Sequence, residues 1–191
     1  MSSATQAATV GTPLPHRRKG TVLLISGDMD KALLAFEIAA GFQAMGMEMS
    51  MWFVFYGVNC IKKPRGFFSF QKWWGRNRQA SPGRNPETDL WLQQVVRVLN
   101  RDGAQHLPLS QLNFGGLGSW IMRTIMRRKG MAQIEDLIGM ARDLGVRFVV
   151  CQVCVDALAL TLPDDLVVAA EIQGVSAYCM AVAEADYNVV F

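Results

Sequence analysis

The stretch VCQVCVDALAL, residues 150–160, places Cys151 and Cys154 three positions apart where an apolar run ends. A thiolate is a nucleophile and a metal ligand, whereas a buried thiol behaves as a small apolar filler. The chain offers four cysteines (Cys60, Cys151, Cys154 and Cys179) and two histidines, His16 and His106, so any chemistry is drawn from a short list. A structural zinc site ordinarily takes four Cys or His ligands. Cys60 could approach the pair, but no histidine stands at a matching junction, so thiol chemistry ranks above metal binding. Spacing alone leaves a reactive pair and core packing evenly weighted.

Position separates the two readings. VRFVVC (146–151) has the composition of a buried strand, and a helix is expected to begin within 152–158. A cysteine at such a junction faces free amide donors and the positive end of the helix dipole, both of which favour thiolate over thiol. Asp156, if it lies near the first turn, opposes that effect. Open parallel sheets bind ligands beyond the carboxyl ends of their strands. Ser26–Asp28, Tyr56–Cys60 and Cys151–Cys154 are therefore expected to converge there, while Cys179, in the expected last helix, reads as a core residue.

The elements that must hold these residues alternate. TVLLIS (21–26) reads as a strand, MDKALLAFEIAAGFQAMG as a helix ending at Gly46, and MEMSMWFVFYG (47–57) as a second strand. Asp28 or Asp30 is expected to cap that helix. Together they form a parallel βαβ pattern. Helices are expected at 88–100, 119–130 and 132–145, a fourth strand in DLVVAAE, a helix in VSAYCMAVAEA and a terminal strand in YNVVF. The glycines of FGGLGSW (114–120) read as a hinge with Ser119 as helix N-cap. SGDMD does not match a phosphate loop, because it lacks the GxxxxGK[ST] pattern and its aspartates would repel phosphate. The pattern predicts a three-layer α/β fold with a mostly parallel sheet of about five strands. A disordered tail at 1–19 and an insertion at about 58–118 flank and interrupt the domain.

Charge is uneven. The net charge is +3, yet residues 62–84 carry seven bases (Lys62, Lys63, Arg65, Lys72, Arg76, Arg78 and Arg84) and no acid, so the remainder is net acidic. Within 61–79 the bases alternate with Phe67, Phe68, Phe70, Trp73 and Trp74, which suits a lid, a docking surface or peripheral membrane contact. No nucleic-acid-binding motif accompanies the patch. The irregular cysteines suit a reducing compartment, and no apolar stretch reaches the roughly 20 residues of a membrane span. A soluble, cytoplasmic protein is expected.

Three blocks in this order carry a resemblance: SGDMDKALLAFEIAAGFQAMGMEMSMWFVFYGVN, LPLSQLNFGGLGSWIMRTIMRRKG and IEDLIGMARDLGVRFVVCQVCVDALAL. From about Gly20 to Phe191 the chain resembles the DsrE/DsrF-like sulfur-relay proteins, in their peroxiredoxin-like subgroup. The resemblance implies a homo-oligomeric three-layer α/β protein that carries sulfane sulfur as a cysteine persulfide, without cofactor. It aligns Cys151 with the reactive cysteine, and implies a TusA-type sulfur carrier and a rhodanese-like donor as partners. Subgroup members commonly have Ser or Thr where this chain has Cys154, which leaves that residue as resolving thiol, second carrier or passenger. The expected function is a sulfurtransferase or persulfide carrier. The rival readings are a non-catalytic adaptor docking on a membrane or complex through 61–79 and 119–129, and a thiol–disulfide redox protein using Cys151 and Cys154.

Overall fold

A computed structural model describes residues 18–64, 90–93, 95 and 103–191. Most of the expected N-terminal tail, the basic–aromatic segment beyond Pro64 and most of the helix expected over 88–100 lie outside the described residues.

Five strands form one parallel sheet. They are β1 (Lys19–Leu24), β2 (Glu48–Phe53), β3 (Arg147–Cys151), β4 (Glu171–Gln173) and β5 (Tyr187–Val190), in the order β4-β3-β2-β1-β5. The βαβ expectation at the start holds: β1 pairs in parallel with β2 across helix α1 (Met29–Ala44). Further helices among the described residues are α2 (Leu117–Arg128), α3 (Ile134–Asp143), α4 (Gln152–Ala157) and α5 (Val175–Ala183).

Side chains alternate across a strand, and the sheet uses its two faces differently. Met49, Met51 and Phe53 of β2, with Phe148 and Val150 of β3, meet α1 and α3 in the main apolar cluster. Phe36 of α1 lies with its ring centroid 6.0 Å from Phe53 and 6.4 Å from Phe148. Residues of the other parity, Thr21 of β1, Trp52 of β2 and Cys151 of β3, look toward α5. Trp52 meets Tyr178 edge-on at 5.3 Å, and Tyr178 Oη donates to Asn188 Oδ1 at 3.1 Å. The chain thus has three layers: α1 with α3, the sheet, and α5.

Several local expectations are corrected. The fourth strand is Glu171–Gln173, not DLVVAAE as a whole, because Leu166 forms an antiparallel bridge with Lys62 and Val167 N–H donates to the Ile61 carbonyl. That pairing draws 166–167 away from the sheet. The second strand stops at Phe53, and Phe55–Ile61 winds as a 3-10 helix. Ser119 is not an N-cap: Gly116, at φ 107°, starts α2 earlier, and Ser119 Oγ donates to Asn113 Oδ1 at 3.3 Å from inside the first turn. Asp28 stands at the N-cap position of α1 without capping through its side chain. Its carboxylate instead accepts from Ser26 Oγ at 2.6 Å and pairs with Lys31 at 2.9 Å. Asp30 accepts from the amide and hydroxyl of Ser110, at 3.0 and 2.6 Å. Burial opposes ionisation of Asp30, but these two donors outweigh it and hold the carboxyl below its usual range.

Lys62 also departs from its expected place. It begins the basic run but is 2% exposed, with Nζ 3.4 Å from Asn59 Oδ1, so it belongs to the interior and not to a docking surface. Arg123 of α2 is similarly buried, bonded to the Ala104 carbonyl and 3.4 Å from Glu135 of α3. This tether leaves Trp120, Ile121 and Ile125 of the same helix exposed. Among the described residues, no helix is long and apolar enough to cross a membrane.

Candidate functional site

The strand ends bring the three expected segments together. Gly57 N–H donates to the Ile25 carbonyl at 2.8 Å, and a Cβ on Gly57 would collide with the Leu24 carbonyl. Only glycine lets the 3-10 helix after β2 lie this close to the end of β1. Phe55 starts that helix at φ 45°, a left-handed conformation costly for a side chain of its size. Held there, Phe55 N–H donates to Cys154 Sγ at 3.0 Å.

Cys151 is the last residue of β3 and the N-cap of α4, as the sequence predicts. Its parity directs it to the α5 face, where it borders a cavity of about 280 Å³ with Leu23, Ile25, Trp52, Val175 and Tyr178 among the walls. Cys154, one turn on, is 1% exposed against 9% for Cys151, and both residues belong to the main apolar cluster. Burial pushes the Cys154 thiol up to about 11; the Phe55 amide opposes this, and charge and hydrogen bonding at Cys151 add to the rise. Cys154 therefore remains a protonated thiol at neutral pH.

The other two cysteines are placed apart in character. Cys60 lies within the 3-10 helix, fully buried, and desolvation pushes its thiol up to about 12. Cys179 was expected in the core but is exposed on α5. That helix buries none of its residues fully, because it covers one face of the sheet only loosely. His106 is in a short 3-10 turn at Ala104–His106, and His16 precedes the described residues. Among the described residues, no group of three or more His, Cys, Asp or Glu side chains is placed to hold a metal ion.

Sequence reasoning missed the cavity walls. A signal is present: Glu48 and Ser50 share the parity of Trp52 against Met49 and Met51, and Thr21 shares that of Leu23, whereas no such alternation marks Tyr178. A larger cavity of about 420 Å³ opens on the same face, bordered by Lys19, Glu48, Arg147 and Glu184. Those residues stand at the amino ends of their strands or just past the end of α5, away from the cysteine junction, so the smaller cavity is the one that borders Cys151.

Comparison with known proteins agrees with the resemblance read from the sequence. Residues 16–84 and 67–190 match the DsrE/DsrF/DrsH-like family. The chain is 28% identical over 174 residues to the uncharacterized protein YrkE of Bacillus subtilis, covering 90% of this chain and 95% of that one. It is 26% identical over 147 residues to the sulfur carrier protein DsrE2 of Allochromatium vinosum, covering 74% of this chain and 78% of that protein. With nearly the whole chain matched, this protein belongs to the DsrE/DsrF/DrsH-like family.

Proposed function

We propose that this protein is a sulfur-relay protein in which Cys151 carries sulfane sulfur as a persulfide. The observation that carries this reading is the junction itself. Cys151 ends a central strand at the ligand-binding edge of a parallel sheet, borders a cavity, and has a protonated thiol behind it. Relationship to a sulfur carrier protein supports the same class of chemistry. The Cys151 thiolate attacks a donor's outer sulfur to form Cys151–S–S⁻, which an acceptor thiolate then relieves of that sulfur. Cys154 acts as a hydrogen-bond donor to the sulfur that bears charge, so it positions and does not load. Partners in this reading are other sulfur-transfer proteins, a rhodanese-like donor and a TusA-type acceptor, and the protein works as a homo-oligomer in the cytoplasm.

Intact mass after exposure to polysulfide tests the reading: one or more added sulfurs, removed by reductant, are expected. The spacing of Cys151 and Cys154, one helical turn apart, favours a second reading, a thiol–disulfide couple, since neighbouring positions in a helical turn can be bridged. That couple would lose two hydrogens on mild oxidation and gain no sulfur.

A further inference from the structure

The cavity beside Cys151 has walls of one kind. Leu23, Ile25, Trp52, Phe53, Val54, Phe55 and Val175 line it, with Gln173, Gly174 and Tyr178 completing the rim. Three of these residues carry polar ends, and each has its partner elsewhere. Trp52 Nε1 donates to Ser50 Oγ at 3.0 Å, Tyr178 Oη to Asn188 Oδ1 at 3.1 Å, and Gln173 Nε2 to Glu171 Oε2 at 3.1 Å. Among the described residues no charged side chain lines this cavity. Cations on the same sheet face, Lys19 and Arg147, border the other cavity and pair with Glu184 at 2.7 Å and Glu171 at 4.0 Å.

Hydrocarbon walls discriminate by desolvation. An anion such as thiosulfate would shed water on entering this cavity and find no charged side chain to replace it, whereas an alkyl or aryl group gains by leaving water. The volume, about 280 Å³, falls just under the range of drug-sized pockets, so it suits one small apolar group next to the reacting sulfur. We infer that the cavity selects an organic hydropersulfide with an apolar R group, reacting in its protonated form R–S–SH, as the small-molecule donor that loads Cys151. This rests on the persulfide reading above. The Cys151 thiolate attacks the outer sulfur. The Cys151–sulfur bond forms as the donor's S–S bond breaks, R–S⁻ leaves and takes a proton from water, and the product is Cys151–S–SH. No oxidant or reductant is consumed.

The test uses the full chain and three donors: benzyl hydropersulfide, glutathione hydropersulfide and thiosulfate. Loading of Cys151 is followed by mass, with each rate divided by that donor's rate with free cysteine. The benzyl donor is expected to load at least about tenfold faster than either charged donor, the ratio expected from burying one aromatic group. Val175 is 59% exposed at the cavity rim, so Val175→Lys adds a cation there without disturbing the core. It is expected to shrink the preference severalfold. Equal or faster normalised loading by glutathione hydropersulfide or thiosulfate would overturn the inference while leaving Cys151 as the carrier. A preference unchanged in Val175→Lys would overturn it as well. Loading by no donor at all would remove the persulfide reading together with the inference.

Discussion

The two faces of the one sheet are built to different standards. Under α1 and α3, Phe36 and Phe53 are fully buried and Phe148 nearly so, with Met49, Met51 and Val150 filling the space between. Under α5, Trp52 and Tyr178 meet in a single ring contact, no residue of the helix is fully buried, and two cavities open. The difference arises from strand parity, because each strand contributes alternate side chains to a dense face and a loose one. Cys151 borders a cavity on the loose side while touching the main cluster, and Cys154, one turn later, lies in that cluster away from the cavity. One face is closely packed, and the other leaves a cavity beside Cys151.

The comparison breaks first at Phe53. Phe53→Ala should cost about 3–5 kcal/mol in denaturant unfolding, as aromatic truncation in a packed core does. A loss under about 1 kcal/mol would mean the α1 face is not the stabilising one. Next comes alkaline unfolding. Cys60 is raised from 9.0 to about 12 and Cys154 from 9.0 to about 11, chiefly by burial. The unfolded chain therefore gives up these protons first and binds fewer than the folded one through that range. Stability should be intact below about pH 9 and fall as the pH rises toward 11 to 12, and Cys60→Ala should flatten the fall. An unchanged alkaline limb in that variant would show that Cys60 does not titrate late. The smallest effect belongs to the loose face: Tyr178→Phe removes one hydrogen bond to Asn188 and should cost about 1 kcal/mol or less.

Much of this organisation is legible in the chain. Apolar runs ended by Gly or Asp give the βαβ start, and VRFVVC gives both the third strand and the place of Cys151. What escapes has a common cause: tertiary pairing that local composition does not encode. DLVVAAE has strand composition throughout, but Leu166 and Val167 pair with Lys62 and Ile61, leaving Glu171–Gln173 for the sheet. Lys62 opens a basic run and would be placed at the surface, yet the same pairing encloses it beside Asn59. Cys179 sits in a helix apolar on nearly every side, so no periodicity marks which side faces water. The amide of Phe55 on Cys154 depends on a left-handed backbone at a bulky residue, which sequence rules disfavour.

The division of labour between the two cysteines is the central claim, and sulfur mapping in single variants tests it most directly. Parent, Cys151→Ser and Cys154→Ser proteins are exposed to polysulfide, digested without reductant, and the added sulfur is located on peptides by mass. The account predicts sulfur on the Cys151 peptide of the parent and of Cys154→Ser, and none in Cys151→Ser. Loading that persists in Cys151→Ser and vanishes in Cys154→Ser would contradict it.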